Sequence, residues 1–335
     1  MKIGVIGAGS WGTALAQLLA KNDNDVALWA RKESVIASIN AEHVNPRYLS
    51  EVRLSDRIVA TSSHADALAG AQACAIVTPS HLLREVSCAL APLVADDLPL
   101  VVCSKGIEEG SGKLAIEVAA SEMGNAGRLA VLSGPNHAEE VIKHIPSGTV
   151  IASSSRATAE FFQELFASDT FRTYISDDVS GVEICAAFKN VIAIAVGLSY
   201  GLGLGDNTAA MLMTRGLAEM GRLVEAAGGR AITCLGLAGT GDLIATCMSQ
   251  HSRNRRFGQM LAAGRSLDDF SAETHMVAEG ALACKTLRTL GQRHQVELPI
   301  TEVVRAVVWE GLDASEAARV LAGRPLTAEF WGMGS

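Results

Sequence analysis

The sequence predicts an α/β protein in two parts: a helix-wrapped, mostly parallel sheet over residues 1–178, then an all-helical domain over residues 179–335. Three observations carry this expectation. Short apolar runs alternate with helical patterns through the first half, the mark of strands joined by helical crossovers. A glycine turn, GAGSWG at residues 7–12, stands between the first such run and the first helical pattern. Beyond about Asp178 the strand signals fade and apolar residues recur at helical spacing.

Taken in order, the run KIGVIG reads as a strand, TALAQLLAKN as a helix and DVALWA as a second strand. CAIVTPS, LPLVVCSKG and LAVLSGPN repeat the pattern, and GTVIASS and FRTYISDD add two further β-like stretches. Crossovers between parallel strands are right-handed, so both faces of such a sheet are covered. Ligands of doubly wound sheets sit at the carboxyl ends of the strands. That draws attention to Gly7, Arg31, Thr78, Lys105 and Gly134, which follow the runs directly. In the second half, NTAAMLMTRGLAEMGRLVEAAGG, RRFGQMLAAG, VAEGALACKTLRTLGQRH and ITEVVRAVVWEGL all have helical periodicity. The longest apolar stretch, Val191 to Gly205, is glycine-rich and shorter than a membrane span, so a buried helix ending in a loop is expected, not membrane insertion.

Composition narrows the function. The formal net charge of −8 argues against a nucleic-acid partner, since positive charge gathers only in SRNRR at 252–256. Seven dispersed cysteines without a C-x-x-C pair fit reduced core thiols in a cytoplasmic protein. The eight histidines form no metal-binding pattern, so no metal is expected. The N-terminus runs straight into a strand, without the pattern of an export signal.

The glycine turn is the strongest local motif. In Gly7-x-Gly9-x-x-Gly12 the first glycine permits the tight turn and the second lets a pyrophosphate approach. The third lets the helix pack on the strand, and the phosphates meet the positive helix end. Ser10 and Trp11 should border the cofactor. Arg31 falls where the ribose-reading acid would stand, about 20 residues past the glycines. With Lys32 beside it, this basic tip suits a 2′-phosphate, so NADPH is favoured; Glu33 keeps NADH as the alternative.

Further along, Lys105 ends LPLVVCSKG at the ligand edge of the sheet, where it could steer an anion or donate a proton. In GPNHAEE, Gly134 and Pro135 shape a turn, Ala138 is small enough for close cofactor approach, and His137 reads as structural. Lys189 lies on an otherwise apolar helical face with Val182, Ala186 and Ala193, a costly place for an ammonium unless it is paired or functional. Glu183 lies off that face. Asp242 follows the glycine turn of LAGTGD, as a helix cap or as part of a site. Ser252, Arg253 and Asn254 then offer hydroxyl, guanidinium and amide to a small anion.

Together GAGSWGTALA, CSKG, GPNHAEE, the FKN helix, LAGTGDLIAT, SRNRRFG and VAEG resemble the bacterial NAD(P)-dependent glycerol-3-phosphate dehydrogenase family over residues 7–280. The resemblance implies a Rossmann domain followed by a helical domain like the C-terminal one of 6-phosphogluconate dehydrogenases. It also implies reduction of dihydroxyacetone phosphate to sn-glycerol 3-phosphate, a phospholipid precursor. By position it makes Lys189 the proton-transferring lysine and places Lys105 against both ligands. Ser10, Trp11, Arg31, Ala138, Val277 and Glu279 match cofactor contacts. Gly134, Asp242, Ser252, Arg253 and Asn254 match substrate contacts, with Arg253 reaching both ligands. Asn136 stands where the family usually has Ser or Thr, and its amide would take over that substrate contact. A homodimer is compatible with this reading.

Overall fold

The computed structural model describes every residue except His251, 275–277, 327, 330, 331 and 333–335. It divides into two compact units, residues 1–105 with 115–179, and residues 106–114 with 180–335. The short segment 106–114 thus belongs with the helical unit, although the sequence boundary near residue 178 assigned it to the first.

The first unit is built on eight strands: β1 (Lys2–Ile6), β2 (Asp25–Trp29), β3 (Ile58–Thr61), β4 (Ala73–Ile76), β5 (Leu100–Val102), β6 (Leu129–Ser133), β7 (Ser147–Ala152) and β8 (Phe171–Ser176). They form one sheet in the order β3-β2-β1-β4-β5-β6-β7-β8. All neighbours are parallel except the antiparallel pair β6 and β7. The order of the first six is that of dinucleotide-binding sheets, and the chain reverses direction across the sheet at β1 and β4.

Helices α1 (Ser10–Lys21), α2 (Glu33–Glu42), α3 (His64–Leu68), α4 (Leu83–Leu90), α5 (Ala115–Met123) and α7 (Arg156–Phe166) lie in the crossovers between parallel strands, and α6 (Ala138–Val141) lies between the antiparallel β6 and β7. The central β4, ACAI, is buried throughout, as a strand covered on both faces must be. Strand β3 is the one the apolar runs did not reveal. Its alternation of buried Ile58 and Ala60 with exposed Val59 belongs to an edge strand with one solvated face, so no continuous apolar run marks it.

The second unit is helical: α8 (Val179–Gly201), α9 (Asp206–Ala226), α10 (Asp242–Met248), α11 (Arg253–Ala262), α12 (Leu267–Thr274), α13 (Glu279–His294), α14 (Pro299–Glu310) and α15 (Ala314–Ala322). Helix α8 is apolar on all sides and long enough to cross a membrane, yet its side chains from Gly181 to Ser199 are buried within the protein. It is a core helix, which its apolar circumference requires. Helix α11 crosses it closely: a Cβ on Gly258 would fall 2.2 Å from the Ile194 carbonyl oxygen. Glycine at that crossing brings the start of α11 beside the middle of α8.

Candidate active site

In the first unit the glycine turn links β1 to α1. Gly7 has φ +124°, a conformation that side chains disfavour, and a Cβ there would lie 2.4 Å from the Val77 carbonyl oxygen. A Cβ on Gly12 would stand 1.7 Å from the Gly7 carbonyl oxygen, so α1 packs directly on the turn. Gly9, the N-cap of α1, has open space where its Cβ would be, and no side chain caps the helix. The amides of the first turn therefore face a cradle without a competing side chain. Trp11, the second residue of α1, has a buried Nε1 without a hydrogen-bond partner, and Ser10 before it is half-buried. An indole N–H seldom lies buried and unpaired unless an acceptor joins it. These residues fit a dinucleotide pyrophosphate.

The basic tip stands just past β2. Arg31 and Lys32 are exposed, Lys32 is the N-cap of α2, and Glu33 begins that helix. Neither cation makes an ion pair among the described residues. At the ends of β5 and β6, the Lys105 Nζ donates to the Gly134 carbonyl at 3.2 Å. Asn136 Nδ2 donates to the Gly148 carbonyl at 2.9 Å, while its Oδ1 is buried without a partner. His137 is the N-cap residue of α6 and Ala138 its buried first residue. Lys105, Gly134 and Asn136 thus share the carboxyl edge of the sheet.

In the second unit Lys189 sits mid-way along α8, 8% exposed. Its Nζ donates to Asp242 Oδ1 at 2.6 Å and to Thr246 Oγ1 at 3.0 Å. Asp242 is 2% exposed, and Thr246 Oγ1 also donates to its Oδ1 at 3.3 Å. The apolar helix does carry a paired ammonium, and the pair comes from another helix. The cap of α10 is Gly241, the last residue of a π-turn over Leu237–Gly241, and the Asp242 carboxylate pairs with Lys189.

At the start of α11, Ser252 caps the helix by accepting the Arg255 N–H at 3.2 Å, Arg253 is exposed, and Asn254 is buried. The Asn254 amide is partly committed: Nδ2 donates to Asn190 Oδ1 at 2.9 Å and Oδ1 accepts from the Gly280 N–H at 2.9 Å. Asn190 Nδ2 reaches Glu279 Oε2 at 3.3 Å. The structure therefore holds two polar groups inside the unit, Lys189 with Asp242 and Thr246, and Asn254 with Asn190 and Glu279, which start from adjacent positions of α8. Val277 lies outside the described residues. The sequence reading passed over Thr246 and Asn190. Thr246 stands one turn after Asp242, and that i, i+4 spacing was a usable signal; Asn190, adjacent to Lys189, left none.

Residues 2–159 match the family described as NAD-dependent glycerol-3-phosphate dehydrogenase N-terminus, and residues 178–319 match its C-terminus. The chain belongs to the NAD-dependent glycerol-3-phosphate dehydrogenase family. The glycerol-3-phosphate dehydrogenase (NAD(P)+) of Nitratidesulfovibrio vulgaris strain DP4 is 45% identical over 330 residues, 98% of this chain and 100% of that protein. That of Enterococcus faecalis is 44% identical, covering 95% of this chain and 94% of the relative. The crystal structure of glycerol-3-phosphate dehydrogenase from Coxiella burnetii superposes with a TM-score of 0.92 at 38% identity, over 96% of this chain and 99% of that one. A ketopantoate reductase from Ralstonia eutropha shares the fold, with a TM-score of 0.63 at 19% identity, over 95% of this chain and 100% of that one.

Proposed function

We propose that this glycerol-3-phosphate dehydrogenase reversibly reduces dihydroxyacetone phosphate to sn-glycerol 3-phosphate, with NADPH preferred and NADH as the alternative, and so supplies the backbone of glycerophospholipids in the cytoplasm. The observation that carries the reading is the buried cluster of Lys189, Asp242 and Thr246, in a family member whose other unit carries an uncapped glycine turn. When bound, the nicotinamide cofactor supplies the hydride that reduces the central carbonyl carbon.

The chain's own residues do the rest. Gly7, Gly9, Ser10, Trp11 and Gly12 hold the pyrophosphate, and Arg31 with Lys32 grips the 2′-phosphate. Ala138, Val277 and Glu279 complete the cofactor contacts, which Lys105 and Arg253 share with the substrate. Ser252, Arg253 and Asn254, which open α11, bind the substrate phosphate through hydroxyl, guanidinium and amide. Lys105, Gly134 and Asn136 steer the hydroxyketone end. The Lys189 ammonium donates a proton to the oxygen that gains charge as the carbonyl is reduced, and the amine takes it back in the reverse direction. Asp242 and Thr246 accept from the ammonium and fix its direction. Ketopantoate-type substrates bear a carboxylate and no phosphate, so the cluster on α11 favours the phosphorylated ketone.

Initial rates with dihydroxyacetone phosphate, taken with NADPH and NADH side by side, test the reading. Rapid loss of nicotinamide absorbance is expected with NADPH; none with either cofactor would refute it. Arg31→Ala should weaken NADPH by about tenfold or more relative to NADH, since charge-assisted contacts to phosphate are worth that much. Equal losses would return Arg31 to an ordinary charged turn.

A further inference from the structure

Between α2 and β3, the loop at residues 43–50 contains one wholly buried polar side chain, Asn45. Its carbonyl oxygen Oδ1 accepts the N–H groups of Arg47 and Tyr48, each at 3.2 Å. That half of the contact is a local turn device. The other half is not local. Nδ2 donates to the Ala8 carbonyl at 3.1 Å and to Thr13 Oγ1 at 2.9 Å.

Ala8 lies between the first two glycines of the turn, and Thr13 lies in the first turn of α1. A trans peptide is planar, with its C=O and N–H opposed. Holding the Ala8 carbonyl towards Asn45 therefore aims the Gly9 N–H the other way. Gly9 is the residue with open space around its Cβ position, at the uncapped helix start. The same amide ties the turn to the helix, so the donors of the turn and of α1 keep one relative orientation.

We infer that Asn45 is a positioning residue for the cofactor, acting through the Ala8–Gly9 peptide. The inference rests on the reading of the glycine turn as the dinucleotide site. Preorganised donors bind phosphate without paying for their own ordering, and without Asn45 that ordering falls on the ligand.

Asn45→Asp separates the two halves of the contact. A carboxylate still accepts the loop N–H groups but cannot donate to the Ala8 carbonyl. Asn45→Ser is a second, smaller variant that keeps a local acceptor and cannot reach Ala8. Dissociation constants for NADPH would be measured by titration calorimetry on the whole protein, with KM for dihydroxyacetone phosphate at saturating nucleotide. The dissociation constant should rise by about tenfold in both variants, while that KM stays within about twofold, the split expected when only cofactor binding is touched. A merely structural role would lower the melting temperature and leave the dissociation constant of the folded protein unchanged, which would overturn the inference.

Gly9→Val is the control for the underlying reading. Its φ of −75° suits any residue and its Cβ has room, so it should fold and block the cradle. Loss of NADPH binding in Gly9→Val with wild-type affinity in either folded Asn45 variant would discard Asn45 alone. Wild-type affinity in Gly9→Val would discard the dinucleotide reading of the turn, and Asn45 with it.

Discussion

Lys189 shows how much one residue can imply. An ammonium in the middle of an apolar helix costs more than a single helix can offset, so it demands a partner from elsewhere. Asp242 answers at 2.6 Å and Thr246 at 3.0 Å. Lys189→Met keeps the length of the stem and removes the charge. Turnover should fall by about 10²–10⁴-fold, the usual worth of general acid catalysis, with NADPH affinity retained. The protein should also melt lower, because the buried Asp242 carboxylate loses its cation. Stopped-flow reduction of dihydroxyacetone phosphate, with calorimetric melting alongside, checks both; near-wild-type turnover would remove Lys189 from proton transfer.

Among the elements, α14 has a cap that comes from another helix. It begins at Pro299, its N-cap Leu298 offers no side-chain oxygen, and Glu219 of α9 supplies the acceptors. The Glu219 carboxylate accepts the N–H groups of Ile300 at 2.9 Å and Thr301 at 3.0 Å, and the Thr301 hydroxyl at 2.8 Å. Burial pushes its pKa up to about 6 from 4.5, against the pull of those hydrogen bonds and of Arg222. A folded pKa above the unfolded one means that the folded state binds the proton more tightly. The stability it contributes is full below about pH 4.5 and is lost as pH rises through about 6. The change is about 2 kcal/mol at 1.4 kcal/mol per pKa unit. Glu219→Gln cannot titrate, so its stability relative to wild type should rise across that window. Urea denaturation at pH 4.5, 6 and 7 measures this, and parallel trends in the two proteins would count against it.

At the scale of the whole molecule, two separate cores hold five of the seven thiols, and Cys74 is buried in the central strand β4. One lies under the sheet of the first unit and one around α8 in the second. Cys74 and Cys247 are pushed up to about 12 and Cys284 to about 11 by burial, and Cys103 is raised by the same cause. Cys185 and Cys234 are also buried, so only Cys88 is exposed. Its thiol is raised by the hydrogen bond it donates to Glu122, which slows it as well. Native protein treated with an aromatic disulfide reagent should therefore show one slow thiol, and all seven cysteines should react after unfolding. Two or more fast native thiols would contradict the two-core account.

What could be read from the chain alone was whatever is written locally. Gly7 shapes a turn from its own backbone geometry, Gly9 and Gly12 leave room for a ligand and for helix packing, and the alternation of runs announces a parallel sheet because crossovers need helices. The charge on an apolar helix marks Lys189 without any knowledge of its neighbour. Pairing across long stretches of chain has no such signature. Asp242 lies 53 residues from Lys189, and Asn45 lies 37 from Ala8. Strand β3 hid because an edge strand shows solvent half of its side chains, and the segment 106–114 joined the helical unit through packing that composition does not encode. Local sequence sets turns and periods through backbone sterics and burial. Which polar groups meet is decided when segments far apart in the chain pack and bring acceptors within reach of buried donors.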